Sequence, residues 1–184
     1  MPATRRALIA ALTMPLVGAI APDCADAATA HEIDAGADRA LRTLYAAEPR
    51  TRELARRAKG ILIFPNILRA GLILGGQGGD GVLRVNGRNA GYYNISGGSV
   101  GLQAGAETFS YAMFFMNDAA LRYLRDSNGW EIGSGPTIAV MDKGAAASLT
   151  STTLTKDVYA FPFGVRGLMA GINLEGSKIT QIKR

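Results

Sequence analysis

The sequence is poor in the residues that most enzyme chemistry needs. It has one cysteine, Cys24, and one histidine, His31, in 184 residues. One cysteine excludes an internal disulfide and a cysteine-based zinc site. One histidine excludes a His-rich metal site and makes nucleophile–histidine catalysis improbable. His31 stands just ahead of the first helical pattern, where a solvated N-terminal histidine is expected rather than a base held in a pocket. Acidic residues are scattered, with no carboxylate pair in view. Aromatic residues make up 7% and there is one tryptophan. Cations interleaved with stacking aromatics, as a nucleic-acid groove requires, are missing. The expectation is a protein that is not an enzyme and takes no cofactor, no metal and no nucleic acid.

What the chain does have is glycine, 23 residues of it, with no every-third-residue period. Glycine at this density argues for turns, bulges and close backbone approaches in a β-rich body. Hydrophobic residues are 48% and charged ones 19%, a globular rather than a disordered balance. The net charge of +5 suits an anionic partner. It does not choose between nucleic acid, phospholipid and acidic protein.

Residues 1–27 read as a secretory signal. Arg5 and Arg6 form a basic start, an apolar stretch runs from Ala7 to Ala21, and Ala25-Asp26-Ala27 is an A-x-A cleavage pattern. Cleavage is expected between Ala27 and Ala28. The apolar stretch is short of the ~20 residues of a spanning helix and contains Pro15 and Gly18. The remainder, 28–184, reads as one domain. The expected location is periplasmic or secreted, with peripheral attachment to an envelope membrane.

Periodicity places an amphipathic helix over 31–48. Ile33, Ala37, Ala40, Leu41, Leu44 and Tyr45 share one face, and Asp34, Asp38, Arg39 and Arg42 take the other. Pro49 interrupts it. A second helix is expected from Thr51 to Lys59, with Gly60 as its stop. Strands are expected over 61–64, 71–75, 82–85, 90–95, 99–106, 136–141, 157–163, 167–174 and 178–182. The Asn86-Gly87 pair signals a hairpin. Residues 109–116 (FSYAMFFM) suit either a strand covered on both faces or a helix start, and Asn117 suits the N-cap of an inserted helix. Residues 143–156 are ambiguous.

Gly76-Gln77-Gly78-Gly79-Asp80-Gly81 satisfies G-x-G-x-x-G. A dinucleotide fingerprint also needs a following helix, whose N-terminus binds the pyrophosphate. Here the β-like Val82-Leu83-Arg84-Val85 follows, so an inter-strand loop is expected instead.

The strongest charge feature is a run of cations: Arg50, Arg52, Arg56, Arg57 and Lys59, against Glu53 alone. Guanidinium forks match phosphate oxygens, which suits phospholipid head groups. Helix chemistry offers another account, because Arg56, Arg57 and Lys59 fall where cations complement a helix dipole. The densest apolar patch is Phe109, Tyr111, Phe114, Phe115 and Met116. It suits core, or alternatively a surface for lipid tails.

Three strings then stand in order: Ala58-Lys59-Gly60-Ile-Leu-Ile-Phe64-Pro65 with Ala70-Gly71, Gly98-x-x-Gly101-Leu102-Gln103-Ala104-Gly105-Ala106, and Gly167-Leu-Met-Ala-Gly171-Ile-Asn-Leu-Glu-Gly-Ser177. Together they resemble the SYLF domain, a lipid-binding domain also described as the actin-binding domain of yeast actin regulators. The resemblance spans about 35–184. It implies an antiparallel β body with packed helices, binding to phosphoinositides or other anionic lipids, and no enzymatic activity. Gly91-Tyr92-Tyr93-Asn94-Ile95 stands where eukaryotic members tend to carry a tryptophan. Val158-Tyr-Ala-Phe-Pro-Phe-Gly164 is closer to the bacterial branch. Those departures and the secretory leader weigh against actin as a partner.

The reading as a whole is an α+β protein with a mainly antiparallel, strongly curved or barrel-like sheet, two N-terminal helices and one inserted helix. It is expected to bind anionic phospholipid membranes. Arg50, Arg52, Arg56, Arg57, Lys59 and Arg69 would meet head groups, and Phe109, Tyr111, Phe114 and Phe115 acyl chains. The alternatives are a structural or protein-interaction module of a bacterial envelope, and a small outer-membrane barrel. The barrel lacks lipid-facing alternation and aromatic girdles.

Overall fold

The computed structural model describes residues 28–71, 74–100, 105–141, 154–167 and 176–184. The expected leader with Ala27, the string 101–104, most of the ambiguous stretch 143–156 and the strand expected over 167–174 beyond its first residue lie outside the described residues.

The first helix, α1 (Ala30–Ala47), starts at a capping box. The Thr29 side chain accepts from Glu32 N, and the Glu32 carboxylate accepts from Thr29 N and Oγ1 at 2.8 Å each. Its buried face is Ile33, Ala37, Ala40 and Leu44, as the periodicity predicts. The polar face divides. Asp38 pairs with Arg84, and Asp34 accepts from Tyr92 Oη at 2.9 Å, so this flank is clipped to the sheet. Arg39 and Arg42 stay exposed.

The second helix, α2 (Thr51–Arg57), is shorter than the sequence predicts. Ala58 caps it in an extended conformation, and Gly60 begins the first strand instead of stopping the helix. Because Ala58 turns the chain directly into the strand, no left-handed residue is needed there.

The strands are β1 (Gly60–Gly71), β2 (Leu74–Val85), β3 (Arg88–Val100), β4 (Gly105–Phe115), β5 (Trp130–Glu131), β6 (Ile138–Val140), β7 (Val158–Gly167) and β8 (Ser177–Ile182). The third helix, α3 (Asp118–Asp126), follows β4, with Asn117 as N-cap accepting from Ala120 N at 2.8 Å. The strands form one eight-stranded sheet in the order β5-β8-β3-β2-β1-β4-β7-β6. Among the described strand pairs, only β6–β7 is parallel.

Chain connectivity makes this sheet curl. Its two edge strands, β5 and β6, are consecutive in sequence. Laid flat, eight strands would separate the edges by roughly 34 Å. The link from Glu131 to Ile138 can reach at most about 25 Å. The sheet is therefore a curled half-barrel.

Each face has its own core. Leu62, Phe64, Tyr93, Ile95, Phe109, Tyr111, Met113 and Phe115 pack on the inner face with Leu121 and Leu124 of α3 and with Trp130. On the outer face, α1 covers Ile63 and Val82, while Leu44 and Leu54 sit with Ala112, Phe114, Tyr159 and Phe161. Residues 109–115 are thus a strand buried on both sides, which explains their unbroken apolar character.

The glycine-rich stretch 75–81 is not a loop. It lies within β2, paired with β1 over 75–78 and with β3 throughout. Glycine is required because the neighbour comes too close. A Cβ on Gly79 would stand 2.4 Å from Asn66 O, and one on Gly81 would stand 2.5 Å from Ile63 O. The expected strands 61–64 and 90–95 are likewise longer, because β1 continues past Pro65 through a register shift between Phe64 and Ile67.

Candidate functional site

Thr51 and Leu54 are the two buried residues of α2. Thr51 Oγ1 donates to Glu48 O at 2.6 Å, closing the turn behind Pro49. Pinned on that side, the short helix turns the rest of its surface outward. Arg50, Arg52, Arg56, Arg57 and Lys59 are all exposed.

Arg56 pairs with Glu53 across one turn, and both side chains are more than half exposed. Such a pair is screened by water and contributes little to stability. The hydrogen bond from Arg56 holds the Glu53 carboxyl below the ordinary range, with the charges of Arg56 and then Arg57 adding to it. Arg52 lies over the Tyr45 ring, 5.8 Å from its centroid. Burial pushes the Tyr45 phenol up, and the nearby guanidinium opposes that shift.

Lys59 N donates to Phe115 O at 2.7 Å, and Met116 N donates to Asp157 O at 2.9 Å. The cluster therefore sits at the sheet end where β1 and β7 begin and β4 finishes. Exposed Lys156 joins the same end. Sequence reading missed Lys156, because it stands alone in its own stretch and only strand pairing brings it near.

Two groups of predicted site residues are corrected. Arg69 is not part of the basic face. It lies about 30 Å along β1 from Lys59, with its side chain 12% exposed and ion-paired to Glu107. Phe109, Tyr111, Phe114 and Phe115 are all buried. Phe109 and Tyr111 make an edge contact at 5.8 Å in the inner core, and Phe115 packs on Trp130 there. Phe114 meets Phe161 edge-on under the helices. They hold the sheet to its helices, so none is presented to an acyl chain. Desolvation also raises the Tyr111 phenol well above its ordinary pKa.

Sequence reading missed a polar row across the far end of the inner face. Strand register aligns Ser177, Gly97, Gln77, Arg69 and Glu107. Gln77 Nε2 donates to Ser177 Oγ at 2.6 Å. Gln77 and Glu107 are buried, and among the described residues Gln77 Oε1 and Glu107 Oε2 have no hydrogen-bond partner. Gln77 was hidden because the glycines around it give no alternation.

His31 is exposed at the start of α1. Among the described residues, no group of three or more His, Cys, Asp or Glu side chains could hold a metal ion. Among them, too, no helix is long and apolar enough to cross a membrane.

Fold and site together define an α+β half-barrel that displays a cationic helix face. Residues 96–184 match the family model Ysc84, a SYLF-type domain described as Las17-binding protein actin regulator. No curated protein matches the chain.

Proposed function

We propose that this protein is a non-enzymatic module that docks reversibly on anionic phospholipid through the α2 face, in a bacterial envelope reached by cleavage of the 1–27 leader. The observation that carries the reading is the exposure of Arg50, Arg52, Arg56, Arg57 and Lys59 on one short helix and its flanks. The buried side of α2 is Thr51 and Leu54, which leaves the cations on its outward surface. Each basic residue close to an anionic surface contributes about 1 kcal/mol. A handful on one face suffices for reversible docking. The match of residues 96–184 to the SYLF-type family model is consistent with a lipid- or protein-binding regulatory role.

The test is charge reversal at two exposed positions of α2. Arg56→Glu with Arg57→Glu is expected to weaken binding to anionic vesicles by at least about tenfold, with an unchanged circular dichroism spectrum. Undiminished vesicle binding by the folded double variant would overturn the assignment.

The family description, which names a protein partner, favours a second reading. In it, the exposed face is a protein-interaction surface of the envelope and lipid is incidental. Binding that ignores lipid charge, together with a stable protein partner, would select it.

A further inference from the structure

A cavity of about 650 Å³ lies under one flank of α1, against the outer face of the sheet. The helix is clipped down along its other flank, where Asp38 pairs with Arg84 and Asp34 accepts from Tyr92 Oη. The stripe over the cavity is Glu32, Gly36, Arg39 and Thr43, spaced at i, i+4, i+7 and i+11. Two bulges shape the floor. β1 sets Pro65 and Asn66 against the single residue Ser110 of β4, and β7 carries an extra residue between Phe163 and Arg166. Bulges bend a strand and re-aim its side chains. Here Asn66 is exposed and Phe163 half-buried, and both line the cavity.

The wall is chemically mixed, and its polar groups come from both sides. Glu32 and Arg39 project from the helix, and Asn66, Asp80 and Thr108 from the sheet. Arg39, Asn66 and Thr108 make no side-chain hydrogen bond among the described residues, so their donors are available. The carboxylates are held in place from outside the cavity. Glu32 accepts from Thr29 N and Oγ1, and Asp80 accepts from Asn94 Nδ2 and Arg184. Each carboxylate thereby uses two of about four acceptor sites and keeps the others. Asp80 is neutralised by its Arg184 pair. The remaining side-chain charges, Glu32 and Arg39, are opposite in sign, so the wall selects neither a cation nor an anion.

We infer that this cavity binds a carbohydrate, a short stretch of oligosaccharide with one sugar ring against Phe163 and hydroxyls on Arg39, Asn66 and Thr108. A wall that offers donors and acceptors together suits a ligand whose groups do both, and a hydroxyl is donor and acceptor at once. An acyl chain would leave those groups unpaired, which is costly. A pyranose also has an apolar C–H face, which fits the negative face of an aromatic ring. The volume falls within the range of roughly 300–1,000 Å³ of small-molecule pockets. The site is separate from the α2 face and does not depend on vesicle docking.

The test titrates the full chain with maltotriose, cellotriose and N,N′,N″-triacetylchitotriose, by calorimetry and by saturation-transfer NMR. At least one is expected to bind saturably and one-to-one, with its ring C–H protons shifted upfield by the Phe163 ring. Arg39→Ala and Asn66→Ala should each weaken binding by about fivefold to tenfold, the scale of one hydrogen bond. Phe163→Leu keeps the apolar volume and should remove the upfield shift. Thr43→Trp, at an exposed position on the rim, should fill the cavity and abolish binding. Arg42→Ala, exposed on α1 but off the cavity wall, should bind as the wild type does, and so should Arg56→Glu with Arg57→Glu. Saturable binding by none of the three sugars, wild-type binding by Thr43→Trp, or loss of binding in Arg42→Ala would each overturn the proposal.

Discussion

Gly81 shows how tightly the sheet is drawn together. Its missing side chain lets the Ile63 carbonyl and the Phe64 ring lie where a Cβ would be. Gly81→Ala is therefore expected to cost about 1–3 kcal/mol, the range for overpacking a rigid site. Gly98→Ala, with nothing within 4 Å, should be close to neutral. Urea unfolding of the two variants checks the contrast. The buried aromatics give a second residue-scale prediction. Phe114→Ala should lose about 3–5 kcal/mol of stability while the folded fraction binds vesicles as the wild type does. A selective loss of vesicle binding with stability intact would return Phe114 to the lipid surface.

Among the elements, those with local chemical signals were legible in the sequence. The apolar face of α1, the cap at Asn117 and the Asn86-Gly87 turn are each specified by a few neighbouring residues. Asn86 and Gly87 have φ of 52° and 74°, the left-handed pair that a two-residue hairpin demands. The glycine-rich part of β2, 75–81, was illegible because glycine has no side chain to alternate. Its strand character comes from backbone pairing with β1 and β3 on either side. Asp157 is a similar case. It accepts from Thr137 N and Oγ1 at 2.8 Å each and from Asn117 Nδ2 at 2.7 Å, tying the β7 start to β6 and to the α3 cap. The Thr137 backbone and side-chain bonds, then Asn117, hold its carboxyl below the ordinary aspartate range. The folded state thus binds this proton less readily than the unfolded state. The stabilisation is present above about pH 4 and lost as pH falls through the depressed folded value. Asp157→Asn should lower stability at pH 7 by about 1–2 kcal/mol, allowing for solvent screening, and flatten the acid limb. An unchanged acid limb in thermal melts from pH 7 to pH 3 would count against this clip.

For the whole molecule, the antiparallel β body was readable from short strands and tight turns. The curl follows from the strand order, which joins consecutive β5 and β6 to opposite edges. Pairing across long sequence separations decides that order. The basic face was legible because its cations are contiguous on one helix with a short buried side. The place of Arg69 was not, since a twelve-residue β1 carries it to the opposite end of the sheet. The cavity under α1 was hidden for a related reason. Two bulges on separate strands and a helix from the chain's start must come together to make it.

The central claim is that the α2 face docks on anionic lipid through its charge. Co-sedimentation of the protein with neutral and anionic liposomes, at low and high salt, tests it most directly. The account predicts binding to anionic vesicles alone, weakened as salt shortens the screening length from about 10 Å at 0.1 M. Equal, salt-insensitive binding to both vesicle types, or binding to neither, would contradict it.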